Sequence, residues 1–444
     1  MKTSYSIAIS LLVAIGFIAT QSFYMHAKKT DVFASRTYFK AFPRPAAICV
    51  PLYNAADTAI DIPALKGWGS YRWKISHASD SVQFYFNQGI NMYYAFHDIE
   101  AVASFTKATR LGPDCAMAWY GKALALGPNI NYPNGYRPPS GAYEAAVKSQ
   151  QLSVQCTNLE KDLINAIRQR YSADTTVDVD KLKASYADAM KLVYEKHKTN
   201  AEAVTLYGDA LLLLHPWDLY EHDFTPKPWT PQIRSIFEQA IKLSPKHPGA
   251  NHYYIHTMEG SATPELALKS ASVLDTLMPQ VSHLTHMPSH IYIRTGDYKK
   301  GITNNDEAVK GYKDYLKVYA PVENDYPLYE AHNVHMKINC AQMAGNYQIA
   351  IDASKTLQAS IPPFYYSLKG AMGNYVQYVY MQPVITNLRF GKWDEIIKTQ
   401  VADTMIFASL ISHFARGVAY SRKGDLSSAE KELGMLNKLL PDNS

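Results

Sequence analysis

The chain has 444 residues, of which 47% are hydrophobic and 19% are charged, and its formal net charge is +5. This composition is typical of a globular protein, and the length suits two domains or an array of repeats better than one compact core. Because the net charge is small and no long run of Lys or Arg occurs, the sequence predicts no nucleic-acid partner.

The N-terminus predicts an export leader. Lys2 precedes an apolar stretch, residues 7–19, and polar residues follow it. The stretch is shorter than the roughly 20 apolar residues that a membrane span needs, and it is typical of a secretory signal peptide. We therefore assign residues 1–27 to a signal peptide and expect a periplasmic or secreted protein with no membrane span once the leader is removed. A retained anchor is the alternative, because no clear cleavage site follows the apolar stretch.

Three stretches without helical periodicity divide the rest of the chain. Residues 28–78 are predicted to be an irregular capping segment, and residues 128–139 a loop rich in Pro, Asn and Gly. A Pro- and Trp-rich insertion, residues 215–231, separates the N-terminal repeats, 79–214, from the C-terminal repeats, 232–444. An insertion of this length inside a compact array is either functional or a packing lid.

A repeat with a period near 34 residues predicts the fold. In a frame that starts at Val82, small residues, one large apolar residue and a proline fall at the positions where a tetratricopeptide repeat (TPR) needs them. The frame returns near the C-terminus and, in part, in the middle of the chain. The matching residues are Gly89, Ala101, Phe105, Ala108 and Pro113 in the first unit, Phe237, Ala240 and Pro245 in the middle, and Gly417, Tyr420, Ala429 and Pro441 in the last.

Weaker units begin at Pro248, Ser282 and Ala331 and continue the array. Each unit is predicted to be an antiparallel helical hairpin with an apolar face that it cannot bury alone, so that stacked neighbours build a continuous core. The predicted fold is therefore all-α: a TPR-like α-solenoid of stacked antiparallel helix hairpins, preceded by an irregular N-terminal segment.

Seven of the 15 histidines occupy positions 2, 5 and 9 of these three weaker units. Those positions form one stripe of a helix, because residues three and four apart lie on the same face. The array predicts a groove lined by His and Tyr that binds a peptide, a protein segment or a small polar ligand. Arg294, whose guanidinium can bind a carboxylate, and Asn339 belong to the same groove. The seven histidines are His252, His256, His283, His286, His290, His332 and His335.

A metal site is an alternative interpretation of the same array. Two imidazoles at i and i+4 can reach one ion, and a third from a neighbouring helix completes a three-ligand site. His252 and His256 with His286 or His290 make such a set for a divalent metal such as zinc. Glu259 is then a candidate fourth ligand or general base. Water at an open position would be activated, which predicts a metal-dependent enzyme, with a hydrolase as the first candidate.

A hydrogen-bonded network without a metal is a third interpretation. Tyr253, Tyr254 and Tyr292 lie beside the histidines in the sequence. Buried polar side chains usually satisfy one another through hydrogen bonds. Two further residues, His215 and Trp217, open the long insertion and are candidates to fold over the groove.

Six strings of the sequence resemble a family of bacterial exported TPR proteins, over residues 67–345. The family is largely named for its repeats, so the resemblance implies the fold and export but no particular reaction. The TPR class implies binding of peptides or protein segments in a concave groove, usually through repeat positions 2, 5, 9 and 12. The strings are FNQGINMYYAFHDIEAVASF, CAMAWYGKALALGPNIN, HPWDLY, HPGANHYYIHTMEGS, HLTHMPSHIYIRTGDY and AHNVHM.

Overall fold

The computed structural model describes residues 61–131, 141–319, 326–402 and 404–440. The predicted signal peptide, most of the predicted capping segment and most of the 128–139 loop lie outside these residues. The chain forms two compact units, and the boundary between them falls between Tyr326 and Pro327. The predicted insertion therefore lies inside the first unit. Along the described part of the chain, every helix is too short or too polar to cross a membrane.

Helices build the first unit, and helices that follow one another along the chain pack together. Its described residues contain one isolated β-bridge, between Tyr220 and Pro226. The helices are α1 (Asp80–Tyr93), α2 (Asp98–Leu111), α3 (Ala116–Ala125), α4 (Ala142–Leu152), α5 (Asn158–Ile167), α6 (Val179–Lys196), α7 (Ala201–Leu214), α8 (Thr230–Leu243), α9 (Pro248–Met258), α10 (Leu268–Leu277), α11 (Ser282–His286), α12 (Pro288–Thr295) and α13 (Tyr298–Leu316).

The second unit is also helical, and it has a core of its own. Met381, Ile396, Ala408 and Ala415 are buried together there. The helices are α14 (Tyr326–Met343), α15 (Tyr347–Ser360), α16 (Gly370–Tyr380), α17 (Gln382–Arg389), α18 (Trp393–Ile397), α19 (Ile406–Lys423) and α20 (Leu426–Leu439).

The predicted all-α, TPR-like fold of stacked helix hairpins is confirmed. In the first hairpin, the fully buried ring of Phe105 on α2 lies against Gly89 on α1, where a Cβ atom would be only 2.9 Å from the ring. Gly208 on α7 receives the ring of Phe237 on α8 in the same way, with a Cβ-to-ring distance of 2.6 Å. A small residue opposite a large apolar one thus lets the two helices of a hairpin approach closely.

The non-helical segment 61–78 packs on the first hairpin. Trp68 and Trp73 are buried, and the Trp73 ring meets Phe86 edge to face with ring centroids 5.5 Å apart. Its backbone is held by side chains of α1, because the Leu65 N–H donates to Gln88 Oε1 over 2.9 Å. The described part of the predicted capping segment therefore packs against α1 through aromatic contacts and hydrogen bonds.

The first turn of α5 is closed by a capping box. The Glu160 backbone N–H donates to Thr157 Oγ1 over 3.3 Å, and the Thr157 N–H donates to Glu160 Oε2 over 2.8 Å. We expect Thr157→Ala to lower the free energy of unfolding by about 1 kcal/mol, because an N-terminal amide loses its acceptor. Urea denaturation measures this, and Thr303→Ala on the exposed face of α13 is the control. Equal losses in both variants would contradict a role for the cap.

Candidate functional site

Five histidines of the first unit come together, and we call them the histidine cluster: His252, His256, His283, His286 and His290. His252 and His256 lie one turn apart on α9, a helix whose residues are all buried. His283 and His286 lie on α11, and His290 follows on α12. His252 and His286 are 0% exposed, so the cluster is part of the interior.

Three of the rings point their Nε2 atoms at one another. His252 Nε2 is 3.1 Å from His256 Nε2 and 3.2 Å from His283 Nε2. One ligand atom from each of the three residues lies within 4.8 Å of the other two. The sequence prediction paired His252 and His256 with His286 or His290, whereas the structure brings His283 to them. His283 lies one turn before His286 on α11, and Pro288 then begins a new helix.

The other nitrogen of each α9 ring fixes the tautomer. His252 Nδ1 is 2.6 Å from the carbonyl oxygen of Tyr94, and His256 Nδ1 is 2.9 Å from Glu259 Oε1. A carbonyl or carboxylate oxygen only accepts, so both Nδ1 atoms carry the hydrogen and both Nε2 atoms present a lone pair. If His283 Nε2 carries a hydrogen, it can donate to His252 Nε2. The contact between His252 Nε2 and His256 Nε2 still has no hydrogen between its two nitrogens.

Burial keeps these rings neutral. It lowers the pKa of His252 and of His283 well below the ordinary value, and neighbouring histidines lower both further. Burial also lowers the pKa of His256, although Glu259 opposes the shift. A neutral imidazole whose Nε2 lone pair is not taken up by a hydrogen is the form that binds a metal ion.

Glu259 connects two parts of the cluster. Its Oε1 accepts from His256 Nδ1, and its Oε2 accepts from His290 Nδ1 over 2.7 Å. Burial alone would raise the pKa of Glu259, but His290 and His256 outweigh it and hold that pKa below its ordinary value. The sequence prediction made Glu259 a fourth ligand or a general base. In the structure both of its oxygens instead face Nδ1 atoms, away from the converging Nε2 atoms.

Two aromatic residues with left-handed backbones line the same cluster. Phe96 has φ 57 and Trp217 has φ 58, values that cost non-glycine residues energy. The Phe96 ring stacks on His256 and His283 with centroids 5.8 and 5.6 Å away. Trp217 meets the His256 ring edge to face at 5.1 Å. The insertion therefore contacts the cluster through Trp217.

The remaining predicted site residues have other surroundings. Arg294 donates from Nη1 to the carbonyl oxygen of Glu259 and from Nη2 to that of Ser261, the latter over 3.0 Å. It thereby anchors the turn that carries Glu259. In the second unit, α14 carries His332, His335 and Asn339.

His335 lies in the interior of the second unit. Its ring meets Tyr378 at a centroid distance of 5.4 Å, and its Nε2 is 3.4 Å from Asn339 Nδ2. Burial lowers the pKa of His335 to about 4. His335 is therefore buried beside an aromatic ring and an amide, and burial favours the neutral imidazole.

Two of the three tyrosines beside the cluster in sequence hydrogen-bond to carboxylates. Tyr254 donates to Glu238 over 2.9 Å, and Tyr292 donates to Asp275 over 2.6 Å. The third interpretation was a network of His, Tyr and Asn; the histidine contacts that correspond to it are those of His252 with the Tyr94 carbonyl and of His286 with Asn305. Sequence reasoning missed Tyr94 and Phe96, because they reach the cluster from the α1–α2 turn, which no histidine spacing indicates.

No family model and no curated protein matches the chain. Among solved structures, yeast Tom70 is similar at 10% identity and a TM-score of 0.28, with 82% of this chain and 86% of that chain covered. A human IFIT1 dimer with m7Gppp-AAAA is similar at 13% identity and a TM-score of 0.32, covering 87% of this chain and 93% of that one. The fold assignment rests on the helix pairs described above.

Proposed function

We propose that this chain is a metal-binding TPR-like protein that holds a divalent ion on the Nε2 atoms of His252, His256 and His283. The proposal rests on one observation: the Nε2 lone pairs of His252 and His256, whose Nδ1 atoms donate to Tyr94 and Glu259, converge with the Nε2 atom of His283. At bond lengths of about 2.0–2.1 Å, two nitrogen ligands of a tetrahedral ion lie about 3.3 Å apart. The observed separations of 3.1 and 3.2 Å are close to that value.

The ligand set narrows the choice of metal and of chemistry. Three imidazoles suit zinc, copper, iron or nickel rather than magnesium or calcium, which prefer oxygen ligands. Three protein ligands also leave a position for water or a substrate atom, as in catalytic zinc sites. A bound water with a pKa near neutrality would act as the nucleophile, so a metal-dependent hydrolase is the enzyme activity that this site supports best.

Of the partners predicted from the sequence, a small polar ligand fits the burial of the three histidine rings better than a peptide does. TPR-like folds bind proteins or ligands in general, but a peptide main chain would have to approach rings that are 0–5% exposed. A small molecule with an oxygen donor needs less room and can take the open metal position. We further propose an exported protein, on the strength of the apolar stretch 7–19 and Lys2 before it; fractionation of cells that make the full chain tests this.

Metal analysis of the full chain, purified without chelators, tests the proposal. We expect stoichiometric metal at the trihistidine site, and we expect His252→Ala and His283→Ala to lose that ion. His77→Ala is the matched control, because His77 is exposed and hydrogen-bonds to the Gln155 carbonyl rather than to the cluster.

A second measurement uses only the wild-type chain, so its result does not depend on whether the variants fold. Wild-type chain loaded with cobalt(II) should show the intense visible absorption of a tetrahedral nitrogen-ligated ion. Wild-type protein that takes up neither zinc, copper, cobalt nor nickel would overturn the proposal. Equal metal content in the wild type and in folded His252→Ala would overturn it as well.

A further inference from the structure

We infer that the histidine cluster binds a second metal ion, on the Nε2 atoms of His286 and His290; this inference rests on the proposed function. The two Nε2 atoms are 2.8 Å apart, and the ring planes are nearly perpendicular, at 87°. Two ligands at a 90° angle, with bonds of about 2.0–2.1 Å, lie about 2.9 Å apart. The pair therefore has the spacing of neighbouring ligands in a tetragonal or octahedral site.

The tautomer of His286 follows from an amide that can be oriented without ambiguity. Asn305 is 0% exposed, and its Nδ2 donates to the Gly301 carbonyl oxygen over 2.7 Å. Its Oδ1 must therefore be the atom that faces His286 Nδ1, at 2.6 Å. Since that oxygen only accepts, Nδ1 of His286 carries the hydrogen and Nε2 presents its lone pair.

The same argument holds for His290. Its Nδ1 lies 2.7 Å from Glu259 Oε2. Since a carboxylate oxygen accepts, Nδ1 carries a hydrogen, and the neutral form of the ring presents its lone pair on Nε2. In the neutral rings the two Nε2 atoms, 2.8 Å apart, together offer two nitrogen ligands to one cation.

Glu259 links the two positions. One carboxylate oxygen orients His256, a ligand of the first ion, and the other orients His290, a ligand of the second. The ligand groups are adjacent, because the His256 and His290 ring centroids are 6.2 Å apart and those of His283 and His286 are 6.1 Å apart. A carboxylate that orients histidine ligands is a common arrangement around protein-bound metals. Here one such carboxylate would serve both ions.

Stoichiometry tests the inference. We expect two metal equivalents per wild-type chain, one equivalent in His290→Ala, and one in His252→Ala. His290 is the preferred substitution because it is only partly buried, and His77→Ala should keep both equivalents. With copper(II), magnetic coupling between two neighbouring ions should appear in the electron paramagnetic resonance spectrum of the wild type and vanish in His290→Ala.

The outcomes separate this inference from the proposed function. One equivalent in the wild type, kept in His290→Ala and lost in His252→Ala, would overturn the second ion and leave the trihistidine site intact. No metal in any form of the chain would overturn both. Two equivalents without magnetic coupling, both kept in His290→Ala, would also overturn the assignment to His286 and His290.

Discussion

Glu259→Gln is expected to weaken metal binding at the trihistidine site by about 10- to 100-fold. The carboxylate accepts a hydrogen from His256 Nδ1 and another from His290 Nδ1. A glutamine amide offers one accepting oxygen and one donating NH2 group. One of the two rings would then face a donor and would favour the tautomer with hydrogen on Nε2, which removes that lone pair from the metal.

Competition between the protein and a chromophoric chelator for zinc measures this affinity. Glu238→Gln is the matched control, since the hydrogen bonds of Glu238 come from Tyr254 and Arg234 and not from the histidine cluster. Circular dichroism should show the same helix content in both variants. An unchanged zinc affinity in folded Glu259→Gln would mean that the carboxylate does not set the tautomer of His256.

The histidine stripe shows how far repeat spacing predicts a site. Spacing put His252 and His256 on one face of a helix, and the structure has their Nε2 atoms 3.1 Å apart. Spacing does not choose the third imidazole, because that depends on how α11 is rotated against α9. A new helix begins at Pro288, between His286 and His290. His283 meets His252, whereas His286 meets His290.

The contacts that Tyr94 and Phe96 make with the histidine cluster could not be predicted from the sequence, for a different reason. Tyr94 acts through its backbone carbonyl, and any residue at that position could supply the same oxygen. Phe96 acts through a left-handed backbone in the α1–α2 turn, which no residue preference for Phe indicates. Both depend on where one hairpin lies against another, which is a property of the packed unit.

The hairpins themselves were predictable because their packing is local. Gly89 and Phe105 are 16 residues apart in sequence, and their pairing needs only one short turn. The boundary between units at Tyr326 and Pro327 was not predicted. The boundary falls at the first residues of α14, which begins at Tyr326, and repeat spacing gives no sign of where one compact unit ends and the next begins.

Phe105→Ala is expected to lower the free energy of unfolding by about 3–5 kcal/mol, because it leaves a cavity at the centre of the first hairpin. The ring is 0% exposed. It fills the space between Gly89 and Gly121, where a Cβ atom on Gly121 would lie 2.2 Å from it. Neither glycine has a side chain that could move in, so the helices α1, α2 and α3 cannot close the gap without shifting their backbones.

Urea denaturation of the full chain, followed by circular dichroism, measures this loss. Phe84→Ala is the matched control on α1, because Phe84 is 47% exposed and should change the free energy of unfolding by less than about 1 kcal/mol. A loss in Phe105→Ala no larger than in Phe84→Ala would contradict the packing described here. The α1–α2 turn carries Tyr94 and Phe96 to the histidine cluster, so Phe105→Ala that remains folded should still bind metal. Lost stability with retained metal would separate the scaffold's contribution from that of the ligands.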